Sequence, residues 1–277
     1  FMPIIFLREE LEVAASKAAR ADVLGISCYI WNWEYSKALA KRVKEINPNI
    51  KIIGGGPQIP HKDKELFKKY PFFDLVVIGE GELTFNELIH SLLNDPNSDL
   101  SNVSGIGFQK EGKYILNSPR SRLNDINDVP SPYLENIFED IIMDHDLDFQ
   151  VSQETHRGCP YSCTFCDWGS ATMQKVKRFS KDRIFSEYEW MSKNKIEVLY
   201  NCDANYGLFP EDVELTDKLV ATKLQTGWPK KFRAAYAKNS NERVFDIAKN
   251  LNDAGMSKGV TLSLQSLDEL TLDLIKR

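Results

Sequence analysis

The sequence predicts an α/β protein in two parts: an open, doubly wound parallel sheet, then a second parallel sheet of the barrel-like kind. Three observations predict it. The chain has 277 residues, enough for two domains that each bury a core. Apolar runs of strand length alternate with stretches of helical period. Between two such alternating regions lies a stretch rich in Pro, Asp and Asn.

In the first region strands are expected at residues 23–29, 51–53 and 75–78, with helices near 33–46, 62–69 and 83–93. Such alternation calls for parallel pairing through right-handed crossovers. Ligands of such sheets lie at the carboxyl ends of the strands. Residues 102–117 read as a hairpin around Glu111-Gly112, and residues 118–148, with Pro119, Pro130 and Pro132, read as linker. The expected division is therefore 1–100 for the first domain, 101–148 for hairpin and linker, and 149–277 for the second domain. There, strands are expected at 149–155, 197–202, 231–236 and 259–264, with helices at 182–193, 211–224, 242–254 and from Leu267. Four strand–helix units in a row point to a partial barrel with its site at the strands' carboxyl ends. The opening at Phe1 and the stop just after a helical stretch read as marks of a fragment.

Hydrophobic residues make up 42% and charged residues 27%, the balance of a globular protein. Apolar runs are strand-sized, far from the roughly 20 residues of a membrane span. A cytoplasmic location is the expectation. The net charge of -5 offers no broad attraction for a nucleic-acid backbone, and the cluster Lys175, Lys177 and Arg178 reads as solvated loop. Five cysteines, three of them within eight residues, argue against a disulfide framework and for metal or redox chemistry.

Those three are Cys159, Cys163 and Cys166, in Arg157-Gly-Cys-Pro-Tyr-Ser-Cys-Thr-Phe-Cys directly after the first strand of the second domain. Spacings of three and two residues let one loop wrap an iron–sulfur cubane and ligate three of its irons, leaving the fourth open to a ligand. A closed zinc site with His156 as fourth ligand, or a set of structural cysteines in a tight turn, are the alternatives.

With Phe165 before the last cysteine, the motif resembles that of the radical S-adenosylmethionine superfamily. The resemblance covers residues 149–277 and implies a 4Fe-4S cluster whose open iron chelates S-adenosylmethionine. Reductive cleavage then yields a 5'-deoxyadenosyl radical, with an electron donor such as flavodoxin or ferredoxin. It also places Phe165, Arg178, Asp203, Ser263 and Gln265 near S-adenosylmethionine. Asp203 and Asn205 read equally as strand-end caps, Arg178 as a salt-bridge partner of Glu187, and Trp168 as a pocket wall or a packing residue.

Two glycine-rich turns follow strands in the first region, Gly54-Gly55-Gly56-Pro57 and Gly79-Glu80-Gly81-Glu82. Glycine permits close backbone approach of a phosphate or nucleotide tail at a helix N-terminus, though such turns also serve the bend alone. Together with Gly25-Ile-Ser27, Asp74 and Thr84, they look like the Rossmann-like cobalamin-binding domain that precedes the radical domain in one large subfamily, the class B methyltransferase-like branch. That resemblance implies cobalamin lined by Ser27, Gly55, Gly56, Gly79, Glu80, Gly81, Glu82 and Thr84. No Asp-x-His-x-x-Gly is present, so no histidine is expected below the cobalt, and the usual first strand is missing before Phe1. His61 reads as solvent-facing, and Cys28 and Cys202 as small buried residues.

The implied function is a cobalamin-dependent radical enzyme methylating an unactivated carbon of a small-molecule or peptide substrate. A non-methylating rearrangement or cyclisation, a first domain kept only for docking, and a zinc-binding or electron-carrier module are the other readings.

Overall fold

A computed structural model describes residues 2–95, 98–166, 175–237, 242–260, 263 and 265–276. The chain forms two compact units, Phe1–Arg122 and Leu123–Arg277.

The first unit runs α1 (Leu11–Ala18), β1 (Val23–Ser27), α2 (Trp33–Ile46), β2 (Lys51–Gly55), α3 (Leu66–Lys69), β3 (Leu75–Val77), α4 (Gly81–Asn94), β4 (Ile106–Lys110) and β5 (Lys113–Leu116). Its sheet has the order β1-β2-β3-β4-β5; the first three strands are parallel and the last two antiparallel. Side chains of successive strand residues point to opposite faces, and here both faces are apolar. Ile52 and Val76 join Ala14, Ala18, Leu39 and Val43 of α1 and α2 on one side. Ile53, Leu75 and Val77 meet Leu88 and Leu92 of α4 on the other. Fully burying an Ile side chain stabilises the fold by about 1.5–3 kcal/mol, so the neighbours Ile52 and Ile53, at 0% and 2% exposure, hold the two layers to one sheet.

The hairpin turns where Glu111 and Gly112 both have positive φ, 51° and 74°, the twist-matched geometry of a two-residue turn. Its first strand pairs with β3. The hairpin is thus part of the first sheet, and the chain divides after Arg122. Helix α1 has no counterpart in the expectations drawn from sequence. Its buried face is Ala14, Ala15 and Ala18, a weak apolar signal.

The second unit runs α5 (Glu139–Asp144), β6 (Gln150–Gln153), β7 (His156–Arg157), β8 (Lys177–Arg178), α6 (Lys181–Lys193), β9 (Val198–Asn201), α7 (Glu211–Thr226), β10 (Lys231–Arg233), α8 (Glu242–Asp253) and α9 (Glu269–Leu274). Strands β10, β9 and β6 form a parallel sheet in that order, and β7 pairs antiparallel with β8. Leu199, Phe232 and Val151 of the sheet share a core with Ile184, Tyr188, Leu219, Ile247 and Leu251 of the helices. Among the described residues the strand–helix alternation therefore has three strands. The fourth expected strand, 259–264, includes residues 261, 262 and 264, which lie outside the described residues; the others there are not in a strand. Among the described residues no helix is long and apolar enough to cross a membrane.

Candidate functional site

In the second unit the strand ends are tied together by one carboxylate. Asp203, just past β9, is 1% exposed. It accepts hydrogen bonds from the Thr155 amide at 2.8 Å, the His156 amide at 3.1 Å, Asn201 Nδ2 at 2.9 Å and the Thr155 hydroxyl. His156 Nδ1 stands 3.3 Å from its Oδ2. These bonds fasten the segment leading into the cysteine loop to the end of β9. Burial pushes the Asp203 carboxyl up to about 6, against the hydrogen bonds that hold it down, and burial takes His156 down to about 4. Of the two roles expected for Asp203, the geometry is that of a strand-end anchor.

The loop carries Cys159 and Cys163 buried and Cys166 partly exposed, all as free thiols. The Cys166 amide donates to the Cys163 carbonyl at 3.2 Å, and the Thr164 amide to the Ile275 carbonyl at 3.1 Å, tying the loop to the end of α9. Cys159, Phe165, Cys166, Asn205, Ser263 and Gln265 line one cleft of about 620 Å³, walled further by Tyr200, Phe232 and Tyr236. Asn205 Nδ2 donates to Cys159 Sγ at 3.2 Å. Among the described residues no three His, Cys, Asp or Glu side chains are gathered around a single metal-ion position.

Arg178 does not line this cleft. The short β8 carries it to the start of α7, where its guanidinium meets Glu211 at 2.7 Å and stacks on Phe209 at 4.6 Å. The expected bridge to Glu187 is replaced for the same reason: Glu187, one turn along α6 from Arg183, takes that residue's Nε at 3.0 Å and Gln153 Nε2 at 2.6 Å. Trp168 lies outside the described residues. Cys202 is half-buried, its thiol toward the Tyr200 carbonyl at 3.8 Å.

In the first unit the carboxyl ends of β1, β2 and β3 are nearly bare of side chains. Ser27 pairs with Gly55, and Gly55 with Val77. Gly25 and Ser27 are exposed, and a Cβ at Gly25 would come within 3.2 Å of the Phe85 ring of α4. Gly56 has φ +115°, and a Cβ there would fall 2.5 Å from the Cys28 carbonyl oxygen, so only glycine fits. Gly79 leads into α4, whose first residues are Gly81 and Glu82. Glu80 binds Arg122 Nε at 3.1 Å. Thr84 is fully buried, its hydroxyl on the Ser104 carbonyl at 3.3 Å and accepting from Arg120 Nε at 2.8 Å. Cys28 packs in the first core, its thiol pushed up to about 11 by burial. His61 lines a separate surface groove with Lys62 and Lys113.

Sequence reasoning placed Tyr29 in the first strand, which ends at Ser27, and passed over Ile30 and Trp31. This segment follows β1 with Tyr29 and Trp31 stacked at 4.5 Å, while Ile30 and Trp31 remain 78% and 73% exposed. The signal that could have found it is a run of large apolar residues at the carboxyl end of a strand.

Residues 6–89 match the family model described as the B12 binding domain. Across its whole length the chain is 39% identical to a cobalamin-dependent radical SAM methyltransferase, TokK, of Streptomyces tokunonensis, covering 41% of it. Over its whole length the chain is thus similar to cobalamin-dependent radical S-adenosylmethionine enzymes. A second relative, the 2-(S-pantetheinyl)-carbapenam-3-carboxylate methyltransferase of Streptantibioticus cattleyicolor, is also 39% identical over the whole chain, with 41% of its length covered. The chain thus spans about two fifths of the length of these relatives. The fold agrees with the cobalamin-dependent S-adenosylmethionine radical enzyme OxsB, at TM-score 0.64 and 18% identity over 96% of this chain and 38% of that one. It also agrees with the radical S-adenosylmethionine methyltransferase TsrM of Kitasatospora setae, at 0.61 and 16% over 88% of this chain and 49% of that one. The matched B12 binding segment holds β1, β2 and β3, the parallel strands of the first sheet.

Proposed function

We propose that this chain carries the cobalamin-binding and S-adenosylmethionine-cleaving portions of a methyltransferase that acts on an unactivated carbon of a small molecule. The observation that supports this most is a shared cleft: Cys159 and Cys166, from the two ends of one loop, line it together with Asn205, Ser263 and Gln265. When bound, a 4Fe-4S cluster would supply the electron that cleaves S-adenosylmethionine to methionine and a 5'-deoxyadenosyl radical, and cobalamin the methyl group.

Cys159, Cys163 and Cys166 would hold the cluster, and the donor set suits it: thiolates on a short loop, one of them already receiving an N–H bond. Phe165, Ser263 and Gln265 would flank S-adenosylmethionine. Tyr200, Phe232 and Tyr236 would exclude water from it. Ser27, Gly55, Gly56, Gly79, Gly81 and Glu82 would line the cobalamin tail, with the exposed Tyr29 and Trp31 beside them as an apolar cover. Asp203 and Thr84 would act at one remove, by fastening backbone, and Arg178 and Glu80 through their ion pairs with Glu211 and Arg122. One relative is by its name a methyltransferase of a pantetheinyl carbapenam carboxylate, which supports a small-molecule substrate. A reduced flavodoxin or ferredoxin would serve as electron donor, in the cytoplasm.

The test is anaerobic reconstitution followed by iron and sulfide analysis. The expected result is about four irons per chain and reductant-dependent formation of 5'-deoxyadenosine, both lost on replacing Cys159, Cys163 or Cys166 by Ala. Iron and deoxyadenosine that survive all three replacements, or zinc alone, would end this reading.

A further inference from the structure

Asn205 is fully buried and stands beside Cys159 in the lining of the cleft. Nδ2 donates to Cys159 Sγ at 3.2 Å, across 46 residues of sequence, while Oδ1 is buried without a hydrogen-bond partner among the described residues. The opposite orientation of the amide would set an oxygen lone pair against a sulfur that is anionic when ligating a metal. The backbone on either side is pinned. Two residues before it, Asp203 is fastened to Thr155 and His156. One residue after it, the Tyr206 amide donates to the Ala235 carbonyl at 2.9 Å and the Tyr206 carbonyl accepts from Ala237 at 2.8 Å. A side chain held this way presents its donor to the sulfur with little left to reorganise.

We infer that Asn205 sets the reduction potential of the cluster through its N–H bond to the Cys159 sulfur. The inference rests on the cluster reading above. A cluster gains negative charge on reduction, so a donor to one of its thiolates stabilises the reduced form more than the oxidised form. Cys159 is 3% exposed, and in such surroundings water does not replace a lost donor. Asn205 is a tuning and positioning residue, acting on the electron that enters the site.

The experiment compares the reconstituted wild-type holoprotein with N205L, which keeps the side-chain bulk and removes the donor. Both are titrated with dithionite and read by electron paramagnetic resonance. N205L should hold the wild-type amount of iron, yet its reduced-to-oxidised ratio at the wild-type midpoint should fall about fivefold, the factor carried by one net hydrogen bond. An unchanged ratio with full iron content overturns the inference and leaves the cluster reading standing. Should wild type itself take up no iron, the cluster reading falls and the inference with it. If N205L fails to hold the cluster, wild type labelled with 15N only in the Asn side-chain amide decides: a weak nitrogen coupling to the reduced cluster is expected, and its absence overturns the inference.

Discussion

Asp203 and His156 stand 3.3 Å apart in the interior and pull the pH dependence of stability in opposite directions. The Asp203 carboxyl, raised to about 6, binds its proton more tightly in the folded chain. Its contribution is full below the unfolded carboxyl value near pH 4 and is lost as the pH rises through about 6. His156, lowered to about 4, is held neutral. Its contribution is present above the unfolded imidazole value near 6.5 and is lost as the pH falls toward about 4. Over this window the two slopes offset each other. Replacing Asp203 by Asn should therefore leave a stability that rises with pH from 4 to 6.5, and replacing His156 by Gln one that falls; urea midpoints across the window check both signs. Asp203→Ala should cost more, about 1–3 kcal/mol for each amide of Thr155 and His156 left unsatisfied. The sequence pointed to Asp203 as a strand-end residue. Its role as anchor became visible only when the amides of Thr155 and His156 were found on its oxygens, because nothing in the spacing says which way that side chain turns.

Elements are where the glycines act. At Gly56 a methyl group would meet the Cys28 carbonyl at 2.5 Å in a left-handed backbone, so Gly56→Ala should destabilise the first unit by about 1–3 kcal/mol and weaken corrin retention in gel filtration. At the start of α6 the Ser180 hydroxyl accepts from the Arg183 amide at 3.3 Å, and Ser180→Ala should cost about 1 kcal/mol in chemical denaturation of the second unit. The long amphipathic helices α2, α6, α7 and α8 were legible within a residue or two at each end, since their apolar positions recur at helical spacing. Two short helices were not. Helix α1 buries alanines, and α5 buries no residue at all, which leaves neither with an apolar stripe to read.

Taken whole, the molecule consists of two units with separate cores, one divided over both faces of the first sheet and one between the second sheet and its helices. Residues 1–122, produced alone, should therefore fold and carry hydroxocobalamin through gel filtration. Loss of the corrin bands from a folded fragment would show that the bare strand ends do not suffice to hold it. The sequence by itself determined the alternation of the longer helices with the strands between them, the glycine turns at the strand ends and the three closely spaced cysteines. Each of these is written in periodicity or short spacing along the chain. Only the tertiary structure decided that Asn205, Ser263 and Gln265 share a cleft with the cysteine loop while Arg178 is drawn to Glu211 and Asp203 turns inward. Those contacts span tens of residues and depend on which face each side chain takes. A shift of one residue in strand register reverses that face without changing the local pattern.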